Sequence, residues 1–350
     1  MAAHDLDAVL DRAAAWLAEG RGVAFATVVR TWGSSPRPAG SKLACNEAGE
    51  FIGSVSGGCI EAAVIAEAIE LVAGRRAPGV LSFGVADETA WEVGLACGGR
   101  IEVFIEVASP HRLRDLRDAR AGKRAVVLLT PLAVATGQTI ALESHRMDPM
   151  LVAPGDTAPV DRESIARALR SDEALVIDTA AGAVLVEPHN PPARLVVIGA
   201  VHVAAPLAQM ARLAGFAITI VDPRRAWATA ERFPDDALVN DWPDVALDKL
   251  AIDARTAIVA LTHDPKIDDP GLIAALRSPA FYIGCLGSKK THAARRERLA
   301  AHGFDDDALA RLHGPVGLDI GAKSPAEIAV SILAEIIAAL RGRGSASRSS

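Results

Sequence analysis

Two cysteines in this 350-residue chain stand beside paired glycines, and that pairing is where chemistry is first to be sought. Residues 53–61 read Gly-Ser-Val-Ser-Gly-Gly-Cys-Ile-Glu, and residues 96–99 read Ala-Cys-Gly-Gly. Glycine pairs let the backbone turn with positive φ and leave no Cβ to hold a ligand away. Apolar spacing from Ile60 to Val72 predicts a helix, which places Cys59 at its start. Unpaired N–H groups there attract an anion or lower the pKa of a thiol. On these residues alone the plain alternative is equally good: Ser56, Gly57 and Gly58 form a simple turn and Cys59 is a small buried hydrophobe. A third polar stretch, residues 30–40, is dense in Gly, Ser, Pro and Arg, and reads as an irregular loop carrying Arg30 and Arg37. It is either a solvated surface loop or an anion-binding rim. Convergence of the three stretches on one pocket is a structural question.

The elements that would position these residues follow from apolar patterning. A helix spans residues 7–19 and strands cover 23–29, 42–45, 80–83, 100–107 and 125–129, with a peripheral helix at 162–169. Residues 187–192, Glu-Pro-His-Asn-Pro-Pro, are the strongest boundary signal, because three prolines in so short a stretch oppose helix and central strand. The expected organisation is an N-terminal domain at 1–187, a linker at 188–192, a second domain at 193–341 and a disordered tail at 342–350.

After the boundary the pattern becomes strand 195–198, glycine turn at Gly199, helix 205–213, then strand 217–221 ending at Asp222. An acidic residue about 20 positions after the turn is the layout of a dinucleotide-binding βαβ unit. Further strands at 257–261 and 281–283 alternate with helices near 272–276 and 292–301. The fold class is therefore α/β, a mixed N-terminal domain followed by a Rossmann-like, doubly wound parallel sheet. Val201 occupies the position where glycine normally admits the pyrophosphate, which counts against NAD(P) as a cofactor. Gly199, His202 and Asp222 frame the expected crevice, although His202 and His263 serve equally well as partners for backbone groups. Gly287-Ser288-Lys289 opens a helix and could hold a phosphate. Cys285 reads as core, and Ser324-Pro325-Ala326-Glu327 as a capping box for the last helix.

Composition narrows the function classes. A net charge of -6 leaves no general electrostatic footprint for nucleic acid or an anionic membrane. No apolar run approaches the roughly 18 residues of a membrane span, and the first residues lack a signal-peptide pattern, so a cytoplasmic protein is expected. Four scattered cysteines without a Cys-x-x-Cys pair point to free thiols.

Taken together the motifs resemble the xanthine dehydrogenase accessory factor (XdhC/CoxI) family over almost the whole chain. The matching stretches are residues 33–40, 53–61 and 97–99 in the first half. In the second half they include Val-Val-Ile-Gly-Ala with His202-Val203-Ala204, Val-Asp-Pro-Arg (221–224) and Leu-Thr-His-Asp-Pro-Lys (261–266). Tyr-Ile-Gly-Cys-Leu-Gly-Ser-Lys (282–289) and Gly-Pro-Val-Gly-Leu-Asp-Ile-Gly-Ala (314–322) complete the set. The resemblance implies an assembly factor that binds molybdenum cofactor, as molybdopterin or its cytosine dinucleotide form. Such a factor works with a cysteine desulfurase and delivers the cofactor to an apo-molybdenum hydroxylase. It implies no catalytic residues. Under it, Cys59 and Cys97 are candidate contacts to the molybdenum, Ser56, Gly57 and Gly58 hold an anionic group, Gly98 and Gly99 are further cofactor-binding candidates, and Arg37 assists. The competing reading is an NAD(P)-dependent oxidoreductase with His263 as its one ready acid/base group; a scaffold without any small ligand comes third. The apolar final helix would serve a homodimer as readily as a core.

Overall fold

Ten residues with strong strand preference, Val23–Trp32, form the strand (β1) on which the first unit is laid out. It is the central member of an antiparallel sheet with β2 (Lys42–Asn46), β3 (Phe51–Gly53), β4 (Gly79–Phe83) and β5 (Arg100–Val107), in the order β3-β2-β1-β5-β4. The computed structural model describes residues 3–33, 37–58, 60–84, 99–132, 150–152, 160–179 and 182–342. Its two units are Met1–Pro191 and Pro192–Ser350.

Successive strand residues face opposite sides. Ala24, Ala26 and Val28 therefore meet Val64, Ala68 and Leu71 of helix α2 (Glu61–Val72). Val23 and Phe25 meet helices α1 (Ala3–Ala18) and α3 (Pro110–Ala121) through Leu10, Trp16, Leu113 and Leu116. Because both faces are covered, the start of β1 reads as a continuous apolar run. A second antiparallel sheet, β6 (Val126–Pro131), β7 (Met150–Val152), β8 (Leu175–Thr179) and β9 (Gly182–His189), has the order β7-β6-β9-β8. Ile165 and Ala168 of helix α4 (Arg162–Ser171) cover it. Lys42 of β2 joins the two sheets: its ammonium, 3% exposed, lies 2.9 Å from the Glu187 carboxylate of β9 and donates to Thr27 Oγ1 at 2.7 Å.

Two expectations are corrected here. Arg30, Thr31 and Trp32 belong to β1 and not to the loop, because β5 supplies partners as far as Arg100. The register shift between Val28 and Arg30 is a bulge that lets the strand continue. The proline-rich stretch does not end the strand before it either. β9 continues through Pro188 to His189, paired only with β6 there, because β8 stops at the level of Val186. A strand with one open side accepts a residue lacking an N–H.

The second unit is a wholly parallel sheet of β10 (Arg194–Ile198), β11 (Ala217–Val221), β12 (Ala237–Val239), β13 (Thr256–Ala260), β14 (Tyr282–Cys285) and β15 (Leu312–His313). The order β12-β11-β10-β13-β14-β15 is the 3-2-1-4-5-6 arrangement of dinucleotide-binding folds. Helices α5 (Ala204–Leu213) and α10 (Pro325–Leu340) cover one face. The other face carries α6 (Pro243–Leu250), α7 (Pro265–Arg277), α8 (Lys289–Ala301) and α9 (Asp306–Ala310). α7 starts earlier than the apolar spacing suggests, because Asp264 caps it and Pro265 opens it. The Ser324–Glu327 capping box of α10 is formed as expected. Among the described residues no helix is long and apolar enough to cross a membrane.

Candidate functional site

The loop between β3 and α2 is built around one carboxylate, that of Glu61. The N-cap residue Ile60 has no side chain to satisfy the loop, so the first helical residue reaches back over it. Glu61 accepts the Ser54 and Ser56 hydroxyls at 2.7 and 2.5 Å, and the N–H groups of Val55, Ser56, Gly57 and Gly58 at 3.2, 2.9, 3.0 and 2.8 Å. Positive φ at Gly57 (84°) and Gly58 (122°) is what turns four successive N–H groups toward one point. Burial pushes the Glu61 pKa up, but the Ser56 and Ser54 hydroxyls and the backbone N–H groups outweigh it and hold the group down at about 2. Ser56 also accepts the Ile60 N–H at 3.1 Å, tying the loop to the helix start.

Ser56, Gly57 and Gly58, expected to hold an incoming anion, direct these N–H groups at Glu61 in this structure. The anion they hold is the chain's own. Gly58 still presents open space, since a Cβ there would meet nothing within 4 Å. Glu61 closes the first motif, yet sequence reasoning gives it no role; an acid at the helix start after two serines and two glycines is the available signal.

Strand topology brings the other stretches to the same end of the first sheet. β3 runs parallel to β1, both leaving that end, and the Ser54 N–H donates to Lys42 O at the start of β2. β1 and β5 project further, to Trp32 paired with Arg100. Beyond that pair the two chains touch through glycines: a Cβ at Gly33 would lie 3.5 Å from Gly99 Cα. Arg30 and Arg100 both approach Glu102, at 3.5 and 2.9 Å, and the Arg100 guanidinium lies 4.8 Å over the Trp32 ring. Arg37 is half-buried on the returning arm, which closes through Gly40 N–H to Val28 O. Thus Arg37, Ser56, Gly57, Gly58 and Gly99 share one end of one sheet. Cys59, Cys97 and Gly98 lie outside the described residues, as do residues 34–36 and 343–350.

In the second unit Gly199 ends β10 with φ 100°, and a Cβ there would strike Thr262 Cγ2 at 2.3 Å. Asp222 ends β11 as the βαβ layout predicts, but its carboxylate is already occupied. It accepts the Ala200 N–H at 2.8 Å and both arms of the Arg224 fork at 2.9 and 2.7 Å. Burial raises the Asp222 pKa, and these bonds bring it below its ordinary value. Asp222, expected to frame the crevice, is fully buried at the end of β11 with its carboxylate held by these bonds. His202 is exposed on the same turn. His263, at φ 66°, donates its backbone N–H to Asp268 and is also exposed. Cys285 is core, its thiol pushed up to about 12 by burial. Among the described residues no cluster of three or more His, Cys, Asp or Glu could hold a metal.

An antiparallel sheet ending in glycine turns, followed by a parallel sheet in Rossmann order, defines a two-unit α/β protein with its candidate loops at strand ends. Residues 195–336 match the family model described as the XdhC Rossmann domain, and residues 16–84 match that of the XdhC and CoxI family. The chain belongs to the XdhC/CoxI family. It is 28% identical to a protein of Bacillus subtilis described as a probable xanthine dehydrogenase subunit, over 89% of this chain and 92% of that one. It is 27% identical to the molybdenum cofactor insertion chaperone PaoD of Escherichia coli, over 91% and 84% of the two chains. A crystal structure described as a xanthine dehydrogenase from Bacillus halodurans shares the fold, with TM-score 0.71, 24% identity and 99% and 98% coverage.

Proposed function

We propose that this protein binds molybdenum cofactor and supports its sulfuration and insertion into an apo-molybdenum hydroxylase, working with a cysteine desulfurase. The observation that carries the reading is the gathering of residues 30–33, 37–40, 53–58 and 99 at one end of the first sheet. The similarity to PaoD supports it. The charge at this end suits an anionic pterin phosphate: Arg30 and Arg100 share the single carboxylate of Glu102, Arg37 stands nearby in sequence, and Gly58 leaves open space beside the loop. Cys59 and Cys97, each one or two residues from a described glycine, are the proposed sulfur contacts. When bound, the cofactor would supply a molybdenum centre already carrying sulfur ligands, to which a thiolate could add. Glu61 ties residues 54–58 to the start of α2. The oxidoreductase reading is not favoured at Asp222, which Arg224 already pairs.

The test is anaerobic binding of molybdenum cofactor to the purified protein, with Cys59→Ala and Cys97→Ala variants and a parallel NAD(H) titration. Saturable cofactor binding that weakens at least tenfold in either variant is the expected result. Saturable NAD(H) binding without cofactor retention would overturn the proposal.

A further inference from the structure

The usual anion position of a 3-2-1-4-5-6 sheet is the turn after its first strand. Here part of that turn is already committed. The N–H of Gly199 goes to Val221 O, that of Ala200 to Asp222, and that of Ala204 to Val201 O, and Pro206 has none. Asp222 adds a negative charge beneath it.

The turn after β14 differs in the charge around it. Gly287, at φ 145°, swings the chain into α8, and Ser288 caps the helix by accepting the Thr291 N–H at 3.1 Å. The N–H groups of Lys289 and Lys290, in the first turn, have no intrahelical acceptor. Both ammonium groups sit at the positive end of the helix dipole with no acid in that first turn. Both side chains are exposed. Two cations placed at a helix start oppose the local electrostatics and make sense with an anion in front of them.

A second observation points the same way. Arg295 lies two turns along α8, and helix side chains lean toward the N-terminus. Its guanidinium, 1% exposed, runs back to donate through Nη2 to Leu286 O at 3.1 Å, next to the Gly287 turn. Nε and Nη1 have no hydrogen-bond partner. Asp268, 3.5 Å from Nη2, also accepts the Thr262 hydroxyl and the His263 N–H and so leaves those two donors unanswered. Arg295 thus keeps Asp268 as its counter-charge but has two unmet donors beside a turn that carries two lysines.

We propose that residues 287–290, backed by Arg295, form a phosphate-binding site of the second unit, taking the phosphate group of a small phosphorylated ligand. The inference rests on this unit alone and does not depend on what the first unit carries.

The test uses the full chain, with inorganic phosphate and pyrophosphate as probes and sodium chloride at matched ionic strength as control. Backbone amide resonances are followed by NMR. The expected result is saturable shifts at Gly287, Ser288, Lys289, Lys290 and Thr291 with the phosphates and not with chloride. Affinity should fall at least tenfold in the Lys289→Ala/Lys290→Ala double variant. It should fall similarly in Arg295→Met and less in Arg295→Lys. Shifts confined to the Gly199 turn, an absence of saturable shifts, or undiminished affinity in the double lysine variant would each overturn the site. Should Arg295→Met not fold, the exposed lysine pair decides alone.

Discussion

Replacing Glu61 by Gln keeps the size of the side chain and removes the charge that four N–H groups and two hydroxyls converge on. The folded pKa of about 2 lies below the ordinary 4.5. A depressed carboxylate contributes stability that is fully present above the unfolded pKa and is lost as pH falls toward the folded one. The shift corresponds to ~3 kcal/mol unscreened; discounting for solvent around the loop leaves about 2 kcal/mol. Because the bonds are local, the loss should appear as easier opening of the loop, read by hydrogen exchange. In Glu61→Gln at pH 7 the amides of residues 55–58 should exchange about 30-fold faster than in the parent. At pH 3, midway through the window between 4.5 and 2, the ratio should shrink to several-fold. Equal exchange in the two proteins, or a ratio unchanged between pH 7 and pH 3, would refute the role given to Glu61.

Gly53→Ala should destabilise the first unit by about 3 kcal/mol, because the residue sits at φ 88° and its Cβ would lie 2.3 Å from the backbone oxygen of Lys42. Urea denaturation followed by circular dichroism measures it, and a change below about 1 kcal/mol counts against the reasoning. Lys42→Met leaves Glu187 buried without its cation and should cost about 3–5 kcal/mol, whereas Lys42→Met with Glu187→Leu should recover much of that. The comparison is a double-mutant cycle in the same denaturation assay. Cys45 and Cys285, whose thiols burial pushes up to about 11 and about 12, should resist alkylation by iodoacetamide in the native protein at pH 8 and react once it is unfolded. Mass spectrometry of the labelled peptides reads the outcome.

The second unit is legible in the sequence because its chemistry is repetitive: buried parallel strands are apolar runs, each closed by a polar turn that must lie at one end of the sheet. The first unit is legible in part. Helix α3 escapes apolar patterning because Leu113, Leu116 and Ala119 are embedded among arginines and aspartates, although Ser109 and Pro110 announce its start. Trp32 reads as loop because the strand's continuation depends on β5, some 70 residues later, and not on local propensity. The same holds at the candidate site. The contact of Gly33 with Gly99 follows from antiparallel pairing and has no local signature. Glu61 can be read as an acid at a helix start, but six donors converge on it only once two glycines have adopted positive φ. Asp222 shows the converse: the motif is right in position, and a neighbouring arginine decides what the carboxylate can do.

The pairing of Lys42 with Glu187 spans 145 positions, and that separation has a meaning during synthesis. A ribosome emits Lys42 early and Glu187 among the last residues of the first unit. Until β9 emerges, a lysine destined for the interior lacks the carboxylate it is paired with at 2.9 Å, and among the described carboxylates only Glu106 of β5 is near enough to act on it. The closest ion pair of that lysine is thereby made only when the final strand of the first unit arrives, as the ribosome begins the second.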